Sequence, residues 1–251
     1  MRRIAFLLVI LLFYSCRETT PVDQIETKEP PNYYPLTKGS YWIYSIDTSD
    51  ANGENFGIFG TRKSTIAGFD TLLNKKYALQ VDTIITPTAT AVDTIYIRKD
   101  DFGLYIFTPP LNLSSLIIIP AHELKLLPYP LESLTTLSWV IYDTTFYLGT
   151  IPIARLNLTG QLIGYENIQV PAGNFYCVKI NIIAKGFIVN PQNILQPYQF
   201  NLSGLLWLNK EVGLIKTETP LPLSQILQGT FSNLSDSLRI VKQGLWNYKI
   251  N

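Results

Sequence analysis

The chain has 251 residues, 47% of them hydrophobic and 16% charged, against about 25% charged in an average domain. That composition supports a sizeable core and excludes a disordered chain. With 20 Lys plus Arg against 19 Asp plus Glu, and no block of like charge, the concentrated basic footprint of a nucleic-acid binder is excluded as well.

Arg2-Arg3 followed by an apolar run over 4–13 has the layout of an export signal, too short for the ~20 residues of a spanning helix. The run ends at Ser15-Cys16, and here the chain resembles bacterial lipoproteins. That resemblance implies cleavage before Cys16 and lipidation of its sulfur and its new amino terminus. Two or more acyl chains, at ~0.8 kcal/mol per buried CH₂, hold a protein on a membrane without a spanning helix. Arg17 after the cysteine, rather than Asp, implies the outer membrane, on its periplasmic face or at the cell surface. The competing reading is an ordinary export signal with a chance cysteine, or an uncleaved anchor. Three parts follow: a signal peptide at 1–15, the lipidated cysteine with a flexible tether at 16–32, and one antiparallel β domain at 33–251, since all-β domains run to this length as single units. The tether is polar and proline-bearing, which lets the domain stand roughly 20 Å from the bilayer.

The first strand is expected over 40–47, where Trp42, Tyr44 and Ile46 alternate with Ile43 and Ser45. Asn52-Gly53 marks a tight turn. Runs of β-branched and aromatic residues between turn clusters then predict strands at 56–67, 77–86, 91–99 and 103–108. Shorter apolar segments follow at 116–119 and 122–126, then strands at 139–148 and 153–163. Residues 164–180 spell a hairpin: Ile168 and Val170, the break Pro171-Ala172-Gly173, then Tyr176, Val178 and Ile180 at period two. A three-residue loop with Gly173 in a left-handed bulge is expected. Strands at 186–189, 198–208 and 214–219, a helical turn at 224–229 and a final strand at 237–241 complete the series. Prolines throughout the middle leave no long helical window. The class is all-β: one strongly curved antiparallel sheet, an open or half barrel, with a β-sandwich as the alternative. Tyr34-Pro35-Leu36 before Trp42-Ile43-Tyr44 is echoed by Tyr129-Pro130-Leu131 before Trp139-Val140-Ile141-Tyr142. With unequal spacing the echo reads as local convergence.

Catalytic signatures are sparse. His122 is the single histidine, and Leu126 stands where a zinc protease needs its second one. No G-x-S-x-G elbow occurs, and Asp101-Phe102-Gly103 reads as a turn. Asp82, Asp93, Asp143 and Glu166 lie in or beside strands, where solvated faces are expected rather than a glycosidase pair. No metal or cofactor is expected. With Cys16 lipidated, Cys177 is alone and reads as an inert small residue. The Asp-Thr or Asp-Ser triplets at 70–72, 82–84, 93–95, 143–145 and 236–238 resemble acceptors for O-glycosylation in exported Bacteroidota proteins, although strands with polar outer faces produce them too.

Three patterns together carry a wider resemblance: Tyr34-Pro35-Leu36 with Gly39 and Trp42-Ile43-Tyr44, then 170–175, then Trp207-Leu208 with Val212-Gly213-Leu214. They resemble bacterial envelope lipoproteins of LolA-like plan, in which a curved antiparallel sheet half-wraps an apolar interior. The resemblance implies a ligand such as a lipid or glycolipid in the hollow. Fifteen Tyr, 12 Phe and 4 Trp suit an aromatic-lined concave site, with Trp42, Tyr44, Trp139 and Trp207 as candidate ligand-binding residues. A non-enzymatic, lipid-anchored binding protein is therefore the leading expectation. A structural or assembly lipoprotein that binds another envelope protein through a face or strand edge is the alternative, and a hydrolase is third.

Overall fold

A computed structural model describes residues 33–50, 54–112, 118–131, 137–190, 193–227 and 239–251. The signal peptide, Cys16, the tether, Asn52-Gly53 and the triplet at 236–238 lie outside the described residues. The strands run β1 (Tyr41–Ser49), β2 (Asn55–Leu72), β3 (Lys75–Ile85), β4 (Thr90–Asp100), β5 (Gly103–Thr108), β6 (Leu111–Asn112), β7 (Ile118–Ile119), β8 (His122–Pro128), β9 (Ser138–Leu148), β10 (Ile151–Val170), β11 (Gly173–Asn190), β12 (Asn193–Asn209) and β13 (Gly213–Pro220). A short helix, α1 (Leu221–Leu227), leads into β14 (Ile240–Lys249).

Twelve of these strands form one antiparallel sheet in the order β8-β5-β4-β3-β2-β1-β14-β13-β12-β11-β10-β9, with β6 and β7 paired separately. The sheet is a nearly closed barrel, the curled form rather than the sandwich. It consists of two six-stranded meanders joined where β1 pairs with β14. Each Tyr-Pro-Leu echo stands just before the first strand of one meander, so the repeated block marks the same structural position twice.

The second junction, between edge strands β8 and β9, is made by side chains. Trp139 Nε1 of β9 donates to the Leu126 carbonyl of β8 at 3.2 Å, and the His122 and Tyr142 rings stack at 4.2 Å. Trp139 can lie there because its strand partner is Gly160; a Cβ at that position would sit 2.3 Å from the indole.

Several elements differ from the sequence expectation for local reasons. The segments expected at 153–163 and from 164 onward are one strand, β10, because the register shift between Leu162 and Gly164 bends the strand instead of ending it. The hairpin loop has two residues: Val170 pairs with Gly173, whose φ of 135° suits glycine. This hairpin reaches past β12 and β13, and Ala172 N donates to the Leu245 carbonyl of β14 at 3.1 Å. The last strand is β14 rather than 237–241, and it is central rather than terminal in the sheet.

Alternation sorts the two faces. Trp42, Tyr44 and Ile46 of β1 are buried, as are Ile215, Thr217 and Thr219 of β13, while Lys216 and Glu218 between them ion-pair at 2.8 Å on the other face. No described helix is long and apolar enough to cross a membrane. At the α1 end, fully buried Leu223 packs on Gly204 of β12.

Gly160→Ala forces its new methyl into Trp139 and loosens the seam. The expected cost is ~1–3 kcal/mol in urea unfolding followed by tryptophan fluorescence. Gly68→Ala, where a Cβ meets open space, serves as the control and changes stability by less than about 0.5 kcal/mol.

Candidate functional site

The interior of the first meander carries a charged pair. Arg62 of β2 and Asp82 of β3 both point inward, their side chains 8% and 3% exposed, with Nε 3.6 Å from Oδ2. A buried ion pair survives only when its other polar atoms are satisfied, and here a chain of hydrogen bonds does so. Tyr34 OH donates to Gln80 Oε1 at 2.6 Å, Gln80 Nε2 donates to Asp82 Oδ1 at 2.9 Å, and Arg62 Nε donates to Ser64 Oγ at 3.2 Å. The guanidinium lies 4.8 Å from the centre of the Tyr44 ring, whose hydroxyl donates to the Leu214 carbonyl at 3.1 Å. Burial works to lower the Arg62 pKa, but the Asp82 carboxylate, with Tyr44 and Tyr34, outweighs it and holds the group above its ordinary value. Burial drives the Tyr34 hydroxyl well up, and Arg62 and Asp82 are the buried charged side chains among the described residues.

Beside this network is a cavity of about 110 Å³. One wall is aliphatic, from Ile97 of β4, Ile106 of β5, Leu126 of β8 and Leu206 and Leu208 of β12. Arg62, Gln80, Thr217 and Gln243 also contribute to its lining. Thr217 of β13 and Gln243 of β14 are direct cross-strand partners, each 6% exposed. Thr217 Oγ1 and Gln243 Oε1 are buried with no hydrogen-bond partner, a state that costs roughly 1–3 kcal/mol per group.

The four candidate aromatics are not brought together, and the cavity wall takes Tyr34 instead. Trp42 is fully buried, with its Nε1 donating to the Val212 carbonyl at 2.7 Å and its ring 5.5 Å from Tyr34. Tyr44 supports Arg62, and Trp139 fills the seam. Trp207 faces away from the cavity, opposite to Leu206 and Leu208: its Nε1 donates to Glu166 Oε1 at 2.5 Å, and Lys179 and Lys216 lie 5.2 and 4.7 Å from its ring.

Among the carboxylates, the expectation of a solvated face is corrected for Asp82, which is buried against Arg62. Asp93, its cross-strand partner, is exposed. His122 stacks on Tyr142, and its Nδ1 is 2.9 Å from the Pro120 carbonyl. Cys177 is buried, its thiol pushed up to about 12 by burial and then by the Glu166 carboxylate, far from the range of a reactive thiolate. A second charged cluster ties β3, β4 and β8 together: Glu123 accepts from Tyr77 OH at 2.5 Å and Arg98 Nε at 2.6 Å, and pairs with Lys75. Burial works to raise the Glu123 pKa, but bonds from Arg98, Lys75 and Tyr77 overcome it and hold the carboxyl near about 2. This cluster is internally matched. No group of three or more His, Cys, Asp or Glu able to hold a metal occurs among the described residues.

Arg62, Thr217 and Gln243 went unnoticed in the sequence, although one signal for Gln243 was present. It stands between Val241 and Leu245 at period two, which assigns it the inward face. Arg62-Lys63 offers no such guide, because either cation could point inward.

No protein-family model matches the chain, and no curated protein sequence matches it significantly. Among solved structures, a candidate lipoprotein from Parabacteroides distasonis superposes with a TM-score of 0.52 at 15% identity, covering 88% of this chain and all of that one. A candidate exported protein with a YmcC-like fold from Bacteroides fragilis gives 0.48 at 12% identity, over 86% and 98% of the two chains. The lipoprotein YmcC from Escherichia coli gives 0.31 at 9% identity, over 82% and 84%. At these identities the first of the three speaks for a shared fold and nothing finer.

Arg62→Met leaves the Asp82 carboxylate buried without its cation, and a loss of ~3–5 kcal/mol is expected in urea unfolding. Arg62→Met combined with Asp82→Leu removes both charges and recovers most of that loss. Equal losses in the single and double variants would contradict the pairing.

Proposed function

We propose that this chain is an exported, lipid-anchored protein of the bacterial envelope whose barrel interior binds a small apolar or amphipathic ligand. The observation that carries the reading is the cavity inside the barrel, lined mainly by aliphatic side chains with the Arg62 and Gln80 network beside them. The basic-then-apolar start and Ser15-Cys16 support export and anchoring through Cys16 at the outer membrane. The shared fold with a candidate lipoprotein is consistent with that compartment.

Size limits the LolA-like version of the reading. A cavity of roughly 150 Å³ accommodates benzene, and drug-sized sites run to about 300–1,000 Å³. The 110 Å³ here fits a compact molecule or the tip of a longer chain, not a whole acyl tail. One observation favours the alternative of an envelope-protein partner: Val140, Tyr147 and Leu148 of β9 are exposed large apolar side chains.

Intact mass spectrometry of the full chain from its native membranes tests both parts of the proposal. Under denaturing conditions the mass is expected to show cleavage before Cys16 and acyl additions; under native conditions, a further small mass that denaturation removes. An unmodified Cys16 refutes the anchor, and identical native and denatured masses refute a retained ligand.

A further inference from the structure

The most exposed large apolar side chains among the described residues are Leu73 and Phe102, at 71% and 69%. Each stands at a hairpin tip, Leu73 between β2 and β3 and Phe102 between β4 and β5. The register of β3 with β4 pairs Ala78 with Ile97; continued to the tips, it sets residue 73 beside residue 102, so the two side chains crown adjacent hairpins. Neither is called for by its own turn. Leu73 and Asn74 have φ of 50° and 61°, in a two-residue turn where Asn and Gly are the ordinary choice, and a bulky residue is strained there. At the neighbouring tip Asp100 Oδ1 accepts from the Phe102 and Gly103 amides at 2.9 and 3.1 Å, which closes the turn without the Phe102 ring.

Both tips are at the end of the barrel where the chain enters the domain. The Phe102 carbonyl accepts from Tyr129 N at 3.1 Å, and the Tyr129 ring stacks 6.5 Å from that of Tyr33, the first described residue. Residues 17–32 are all that separate Tyr33 from Cys16, and a flexible segment of that length spans roughly 20 Å. The β9–β10 tip, with exposed Leu148 and Ile151, is at the other end of the barrel, since β10 runs from it toward the Val170–Gly173 hairpin that reaches Leu245 of β14. Around the two entry-side tips Lys75, Lys76 and Lys99 are offset by Asp70, Asp100 and Asp101, so what these tips offer is apolar surface rather than net charge.

Resting on the reading that Cys16 is lipidated, we propose that Leu73 and Phe102 insert into the bilayer surface as a second, non-covalent contact that stands the barrel on its entry end. Two such side chains bind a membrane weakly by themselves, but the tether holds them at high local concentration beside it, which turns a weak contact into an occupied one.

The test uses the full lipidated chain in vesicles of phosphatidylcholine and phosphatidylethanolamine, with the environment-sensitive fluorophore NBD on a single introduced thiol: Leu73→Cys, Phe102→Cys or, at the opposite end, Leu148→Cys. Cys177 is buried and is left unlabelled. Labels at 73 and 102 are expected to brighten severalfold and shift to the blue on vesicles relative to detergent-free buffer, and the label at 148 to stay unchanged. Either entry-side site carries the test alone if the other variant does not fold. A chain that floats with the vesicles while the labels at 73 and 102 stay unchanged overturns the insertion but leaves the anchor standing. An equal response at 148 overturns the orientation, and a chain that does not float refutes anchor and insertion together.

Discussion

A guanidinium inside a β-barrel must be neutralised where it sits, and the contact between Arg62 and Asp82 does this. The alternatives, a bare charge in a medium of low dielectric or an opening to water, are each expensive. Once the pair is in place, its neighbours follow. Gln80 is drawn to the second carboxylate oxygen and Tyr34 to Gln80, so the segment that enters the domain is tied to β2 and β3 before β1 begins. Tyr44 lies beneath the guanidinium and reaches across to Leu214, which couples the first meander to the second. The cavity lies beside this network and is lined mainly by aliphatic side chains.

Closure is the other constraint on this architecture. A twelve-stranded sheet that curls must dispose of two edges, and this chain treats its two junctions differently. Between β1 and β14 a full backbone ladder forms. Between β8 and β9 the work falls to Trp139, resting on Gly160 and bonded to Leu126, and to the stack of His122 on Tyr142. Because Leu126 belongs both to this seam and to the cavity wall, the seam borders the cavity. The long β10–β11 hairpin, bent at Gly164, adds a tie to β14 through Ala172.

Much of the fold was legible in the sequence because strands with one buried face alternate, and β1 and β13 do so with large aromatic or β-branched residues. The curled single sheet was legible from the number and spacing of such runs. Three features were not. Gly164 looks like a break but is a bulge, and a bulge has no signature distinguishing it from a turn in isolation. The final strand was expected to end at 241, whereas β14 runs on to Lys249, because Gln243-Gly244 interrupts its apolar pattern. Asp82 was assigned outward because carboxylates on strands usually are, and only the facing Arg62, twenty residues away and without any marker of its own, reverses that. The site shares this difficulty: polar residues that face a cavity look, one strand at a time, like polar residues that face water. The aromatics that the composition brought forward serve instead as supports, under Arg62, in the seam and beside the charged Lys179 and Lys216.

The most direct measurement is a crystal structure of the full chain taken from its own membranes, at a resolution that places ordered water. Density for a bound molecule in the cavity against Ile97, Ile106 and Leu206, with Arg62 still on Asp82, is the predicted result. Ordered water alone in the cavity would contradict it.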